Sequence, residues 1–323
     1  LELIQIQNRK TREKHMKKEN LIAAVLLCLC IISIVMGAYL IWERTVEGRA
    51  RILVKKEGVA VVYLYGPLSI TRSASGWARL LPGADSVTSD LRKIGKIGAI
   101  KAVVLRINSP GGSVGAVQEI YEEVNRLREK GKKVVVSVGD VGASGAYYVS
   151  CAADKIVANS GTITGSIGVV MSLGNMEELF RKIGIRIEVI KRGKHKDIGS
   201  PAREMTVDEK KMLQALIDDA YEQFLQAVIT GRKLKRSEAE KIAQGQLFTG
   251  RQARDLGLID EIGNFQDAVR LAGKLAGIPG EPRVIEWPKP FPAIFEILSS
   301  RFRTDPLRDL LNGSSVRLEY ILQ

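Results

Sequence analysis

Gly139–Cys151 reads GDVGASGAYYVSC, and the reading of this stretch decides the fold. It follows an apolar run, Val134–Val138, with the length and β-branching of a buried strand. It then opens into small residues suited to the start of a helix. Ser144 stands at this strand-to-helix turn between Ala143 and Gly145. A hydroxyl there lies beside unpaired backbone N–H groups and the positive end of a helix, a good setting for a nucleophile. The same residues also suit a serine N-cap with glycines for tight packing. The stretch by itself leaves both open.

On either side, strands alternate with helices. Val59–Tyr65, Lys101–Ile107, Lys133–Val138 and Ile156–Ala158 read as strands. Ser86–Ile97 and Val114–Glu129 have helical spacing, the second with Val117, Ile120, Val124 and Leu127 inward. A helix at Met176–Ile183 leads to an expected strand at Ile185–Ile190. This order implies parallel strands joined by right-handed crossovers, an α/β fold. A long helix starts behind Thr206, with Glu209 completing a capping box. Ser237–Gln244, Thr249–Leu256 and Asn264–Ala276 are expected as shorter helices. Pro279–Pro292 is expected to hold little regular structure. Val316, Leu318, Tyr320 and Leu322 alternate like a strand that could add to a sheet edge or an empty peptide groove, or the terminus could simply fray.

Leu21–Trp42 is 22 residues without a charge. A bilayer core about 30 Å thick needs roughly 20 helical residues, so this run can span one. It is too long for the apolar core of a cleaved signal peptide. Basic residues precede it (Arg9, Lys10, Arg12, Lys14, Lys17, Lys18), so the positive-inside rule puts the N-terminus in the cytoplasm and the rest on the outer side. The expected organisation is a basic segment 1–20, an anchor 21–42, a linker 43–56, a catalytic domain 57–300 and a tail 301–323. Residue 1 is Leu, and Met16 would make a compact start.

The net charge is +13, spread along the chain with no nucleic-acid recognition motif. A basic protein working beside an anionic membrane is the simpler account. Cys28 and Cys30 fall in the apolar run and Cys151 stands alone, so no disulfide framework or metal cluster is expected, and no cofactor. The only histidines are His15 and His195.

Three further motifs could carry chemistry. Asn108-Ser109-Pro110-Gly111-Gly112-Ser113 ends a strand and begins a helix. Its paired glycines let a backbone N–H face a ligand, as an oxyanion hole requires, though a plain turn needs them too. Thr164-Gly165-Ser166-Ile167-Gly168 and Lys194-His195-Lys196-Asp197-Ile198-Gly199-Ser200 follow. A nucleophilic serine needs a base. With His15 on the wrong side of the membrane, a Ser-His-Asp triad could draw only on His195. The G-x-S-x-G elbow is absent, because the local sequence is Gly142-Ala143-Ser144-Gly145-Ala146. A lysine is the other option: free lysine is a poor base near neutral pH, but desolvation can favour its neutral amine.

Asn-Ser-Pro-Gly-Gly, Ala-Ser-Gly-Ala-Tyr-Tyr, Thr-Gly-Ser-Ile-Gly-Val and Lys-Asp-Ile-Gly-Ser, in that order, resemble the short form of the signal peptide peptidase A family of S49 serine proteases. Phe248-Thr249-Gly250, Ala253 and Gly257-Leu258-Ile259-Asp260 extend the resemblance, which runs from about Gly58 to Ala276. It implies a ClpP/crotonase-like parallel sheet core with flanking helices and a Ser–Lys dyad. The nucleophile falls on Ser144, the general base on Lys196, and a supporting serine on Ser166. Oxyanion donors fall on the N–H of Gly145 and of Gly111 or Gly112. His195 becomes a bystander, turned away from Lys196 if the segment is extended. Ala146 stands where the family often has a second glycine. The resemblance also implies homo-oligomers whose neighbours can complete each other's dyads.

The leading expectation is a membrane-anchored endopeptidase acting on signal peptides left in the bilayer. A broader membrane-protein quality-control protease is the alternative within the same chemistry. A non-catalytic scaffold or acyl-binding module on a crotonase-like fold is the alternative outside it.

Overall fold

The computed structural model describes residues 29–30, 33–34, 36–37, 57–70, 84–287 and 319–321. Two units partition the chain at Lys55/Lys56. The expected anchor at Leu21–Trp42 and linker at 43–56 fall mostly outside the described residues. Among those described, no helix is long and apolar enough to cross a membrane.

The second unit is built on a mainly parallel sheet. β1 (Gly58–Tyr65), β2 (Ile100–Ser109) and β4 (Lys133–Ala143) form its centre, with Val61 opposite Val104 and Val104 opposite Val135. These strands are near-continuous runs of Val, Ile and Leu because both of their faces are covered. On one face Val59, Val61, Ala102, Val104, Val135 and Val157 meet Ala268, Val269 and Ala272 of helix α8 (Phe265–Leu275). Alternation turns Val103, Leu105 and Ile107 to the opposite face. α1 (Ala84–Gly95) and α2 (Val114–Glu129) are the crossovers beside these strands, and α2 buries Val117, Ile120, Val124 and Leu127 as its spacing predicts.

β4 outruns its expected end at Val138 because it serves two partners. Val135–Val138 pair with β5 (Lys155–Ala158), and Val141–Ala143 pair with β6 (Ile163–Gly165). β7 (Leu247–Thr249) runs antiparallel to β6, so the sheet is not wholly parallel. The sheet runs β7-β6-β4-β2-β1-β9, where β9 is Arg283–Glu286, with β8 (Glu261–Ile262) attached through β5.

Two expectations need correction. Ile185–Ile190 forms no strand: the segment pairs with no strand of the sheet and leaves Ile185, Ile187, Val189 and Ile190 exposed, so it lacks the cross-strand partners and burial that a strand needs. Conversely, the proline-rich Pro279–Pro292 contains a strand, β9 (Arg283–Glu286), paired in parallel with β1. Pro282 precedes this strand without interrupting it, and on a sheet edge the ladder tolerates such a neighbour.

Asp260 closes the sheet's far side. It accepts from the Ile156 amide at 2.8 Å, from Lys155 Nζ at 2.9 Å and from Arg232 Nη1 at 2.9 Å. Burial pushes its carboxyl up, but the hydrogen bond and charge of Arg232, with help from Lys155 and the Ile156 amide, outweigh it and hold the group below the usual carboxylate range. The Arg232 side chain is only 7% exposed, so removing its partner strands a buried charge. Asp260→Ala is expected to destabilise the fold by about 3 kcal/mol, read from denaturant unfolding. A change below about 1 kcal/mol would refute this.

Candidate active site

The carboxyl ends of β2, β4 and β6 converge, and each delivers one of the motifs. At the end of β4, Ser144 takes φ 54° and ψ −122° before helix α3 (Gly145–Ser150). It occupies the N-cap position, yet its side chain makes no capping hydrogen bond. The capping alternative therefore fails: a serine serving as a cap sits in extended backbone and uses its oxygen. A non-glycine residue in this region costs about 1–3 kcal/mol and persists only where its surroundings enforce it. Here they do. The Ser144 amide donates to Gly165 O at 2.8 Å, and its carbonyl accepts from Tyr148 N at 2.9 Å. Thr164 Oγ1 donates to Gly142 O at 2.7 Å.

The bond to Gly165 also sets Ser166 beside Ser144, one residue beyond that carbonyl. Ser166 has φ 49°, a second strained serine, and its amide donates to Gln246 O at 2.7 Å. A backbone bond thus joins Ser144 to the residue before Ser166. Gly145 begins α3, so its N–H has no intrahelical acceptor.

The glycine pair forms a short strand of its own, β3 (Gly111–Ser113). Leu68 N donates to Gly111 O, and Ser113 N donates to Leu68 O, both at 2.8 Å. A Cβ on Gly112 would lie 1.9 Å from the Leu68 carbonyl oxygen, which only glycine tolerates. Strand alternation turns Gly112's own N–H and C=O to the opposite edge. That edge is occupied: β10 (Glu319–Ile321) pairs antiparallel with β3, with Tyr320 opposite Gly112. Glu319–Ile321 of the alternating tail thus add as a strand, and they do so at the candidate site.

Several residues that hold this arrangement have no sequence signal for their role. Ser109 Oγ donates to Gly66 O at 2.7 Å and accepts from Gly111 N at 3.2 Å. Asn108 Oδ1 accepts from Val141 N at 3.0 Å, tying the ends of β2 and β4. Both lie in a motif singled out for its glycines. Leu68 could be found only through the fold. Cys151 is fully enclosed, and burial pushes its thiol up to about 12, so it stays protonated near neutral pH and does not compete as a nucleophile.

Lys196 lies elsewhere in character. It is exposed, in a run of turns over 192–199, and its amide donates to Gly193 O at 3.2 Å. Among the described residues its amine makes no bond to Ser144. The alternation expected to turn His195 away does not apply, because the segment is turns and not extended chain. His195 Nδ1 is buried without a hydrogen-bond partner.

Ser144 thus stands on an enforced, strained strand-to-helix turn, and β3, which carries the glycine pair, bears an added strand on one edge. Residues 126–279 match the model of peptidase family S49. A Methanocaldococcus jannaschii protein assigned as a protease is 37% identical over 274 residues, 84% of this chain and 87% of its own. Another from Synechocystis sp. is 47% identical over 192 residues, covering 58% of this chain and 69% of its own. Protease 4 of Haemophilus influenzae is 38% identical over 211 residues, 64% of this chain and 34% of its own. The chain belongs to peptidase family S49 and is a protease of the signal peptide peptidase A type.

Proposed function

We propose that this protein is a membrane-anchored serine endopeptidase that degrades cleaved signal peptides with a Ser144–Lys196 dyad. The observation that carries the reading is the enforced backbone of Ser144, whose hydroxyl is spared from capping. In the proposed reaction, the neutral amine of Lys196 takes the Ser144 proton as Oγ attacks a peptide carbonyl. The developing oxyanion is held by the N–H groups of Gly145 and Gly112. Gly112 turns its N–H to the edge where β10 lies, so it becomes available once substrate displaces the tail, whereas the Gly111 N–H donates to Ser109 within the loop. Lys196 then gives its proton to the leaving amine, and the acyl ester remains on Ser144. A water, deprotonated by Lys196, hydrolyses the ester and restores the serine. Ser166 supports the lysine amine by a hydrogen bond.

Substrates bind as strands antiparallel to β3, in the manner of β10, so main-chain bonds supply affinity and apolar segments are accepted. The N-terminal apolar run would keep this groove near the bilayer where such segments remain. The tail then competes with substrate. Deleting residues 316–323 is expected to lower KM for a peptide about 3- to 10-fold, since a tethered competitor acts at high effective concentration. A large loss of activity with the fold intact would exclude that role.

The exposed Lys196 supports a dyad completed between copies in a homo-oligomer. It shares its segment with exposed Leu179, Ile183, Ile185, Ile187 and Val189, an apolar face of the kind that a second copy covers. The test is to mix Ser144→Ala and Lys196→Ala chains, each inactive alone, after dissociation and reassembly. Dyads shared between neighbours regain roughly a quarter of wild-type activity at random mixing. No regain would place each dyad within one chain. Profiling the assembled protein on signal peptides and on misfolded membrane proteins separates the named substrate from broader quality control.

A further inference from the structure

The turn carrying Lys196 is fastened by one guanidinium. Arg203 Nε donates to Asp197 Oδ2 and Nη2 to Asp197 Oδ1, both at 2.9 Å. The same group reaches Glu209, with Nη1 to Oε2 at 2.9 Å and Nη2 to Oε1 at 2.6 Å. Nη2 also approaches the Asp197 carbonyl oxygen at 3.3 Å. Glu209 is itself fixed at the start of the long helix α5 (Val207–Arg232). Its Oε2 accepts from Thr206 N at 2.9 Å, and its amide donates to Thr206 Oγ1 at 3.2 Å. The Glu209 and Asp197 side chains are 3% and 10% exposed, so water competes weakly for either carboxylate.

We infer that Arg203 is a positioning residue for peptide hydrolysis: it locks the 192–199 turn to the first turn of α5 and thereby sets where the Lys196 amine is presented. The inference rests on Lys196 being the base. One end of the clamp is a rigid helix, and the other is the residue next to Lys196. A planar fork with two donating edges suits this task, and a lysine in its place is a point charge that cannot grip both carboxylates as pairs.

The clamp also balances charge within the turn that carries Lys196. Asp197 is matched by Arg203 and by Lys191, which pairs with its Oδ1. Arg203 lowers the Asp197 carboxyl below its usual range, with Lys191 contributing next. Arg203 likewise holds Glu209 down at about 2 against an ordinary 4.5, with the Thr206 amide next. A depressed carboxyl stabilises the fold fully above its ordinary range and ceases to do so as pH falls through the lowered value, so the clamp is at full strength near neutral pH and weakens only in acid. Of the other polar groups here, Lys194 pairs with Asp208 at 3.3 Å, Glu177 accepts from the Glu204 amide at 2.9 Å, and His195 Nδ1 is unpartnered. Without Arg203, two carboxylates lose their shared cation. A more negative turn disfavours a neutral amine carried on it, so the acid limb of activity is expected to move to higher pH.

The experiment measures kcat/KM across pH for the full chain. The variants are Arg203→Met, Arg203→Lys and Arg203→Met with Asp197→Asn, beside Lys196→Ala. Arg203→Met is expected to lower kcat/KM on the order of 10- to 100-fold and to move the acid limb to higher pH. Adding Asp197→Asn is expected to bring the limb back without restoring the rate. Arg203→Lys should keep the wild-type limb with a reduced rate. A rate loss with an unmoved limb in Arg203→Met would mean a merely structural role and would overturn the inference. So would a wild-type rate in Arg203→Lys, or failure of both single variants to fold. Activity surviving in Lys196→Ala would instead remove the base assignment, and that control reads it separately.

Discussion

Ser144→Ala is expected to abolish peptide hydrolysis, lowering kcat/KM by about 10⁴-fold or more, while leaving the fold untouched. Losing the nucleophile of a unit that acts together costs nearly the whole catalytic effect and leaves only what the oxyanion donors and binding supply. Stability should barely change. The Ser144 hydroxyl caps nothing, and alanine bears the same strain at φ 54° as serine does. Unfolding should therefore shift by no more than about 0.5 kcal/mol. Ser144→Gly makes a useful companion: equally inactive, but more stable by about 1 kcal/mol because glycine accepts positive φ without strain. A stability gain on losing the reactive group is what a strained catalytic residue produces, whereas an ordinary cap would lose stability. Activity of Ser144→Ala within tenfold of wild type would refute the assignment. So would a destabilisation of about 1 kcal/mol or more, which would restore the capping role.

Lys196→Ala should lose most of the activity that Ser144→Ala loses, and it should do so from an exposed position. Its side chain sits on the surface of the single chain, so truncation leaves no cavity and no stranded partner. A loss of about 10³-fold or more with unchanged unfolding would thus identify chemistry and not packing. His195→Ala is the discriminating control. It removes an imidazole whose Nδ1 is buried and unpartnered, and hydrolysis should stay within about threefold of wild type. If His195→Ala were inactive and Lys196→Ala active, the base would be the histidine. In the wild type, activity should rise with pH as the amine loses its proton, and Lys196→Ala should lose that limb.

The strands and helices that frame the site were legible because their residues obey simple periods. Val114–Glu129 forms its helix with the expected bounds, and Thr206 with Glu209 caps the long helix as their spacing requires. The errors share one origin. Ile185–Ile190 has the composition of a strand, but a strand needs a partner to pair with, and the segment lies against none of the sheet's strands. Arg283–Glu286 sits among prolines, yet the open flank of β1 recruits it. β3, β6 and β7 have only three residues each, too few to show a period.

By itself, the sequence determined the sheet's core strands, the serine-bearing turn and the order of the motifs. Each depends on local preference and on burial patterns written along the chain. Only the tertiary structure decided that Ser144 is strained and not a cap, because that depends on the Gly165 carbonyl receiving its amide. It also decided that Gly112 turns its donor toward a paired strand, through Leu68 on its opposite edge. The lysine's exposed setting and the guanidinium that fastens its turn were likewise hidden. Hydrogen bonds between strand ends and ion pairs between separate elements are fixed by how those elements meet, and no periodicity along a chain encodes that.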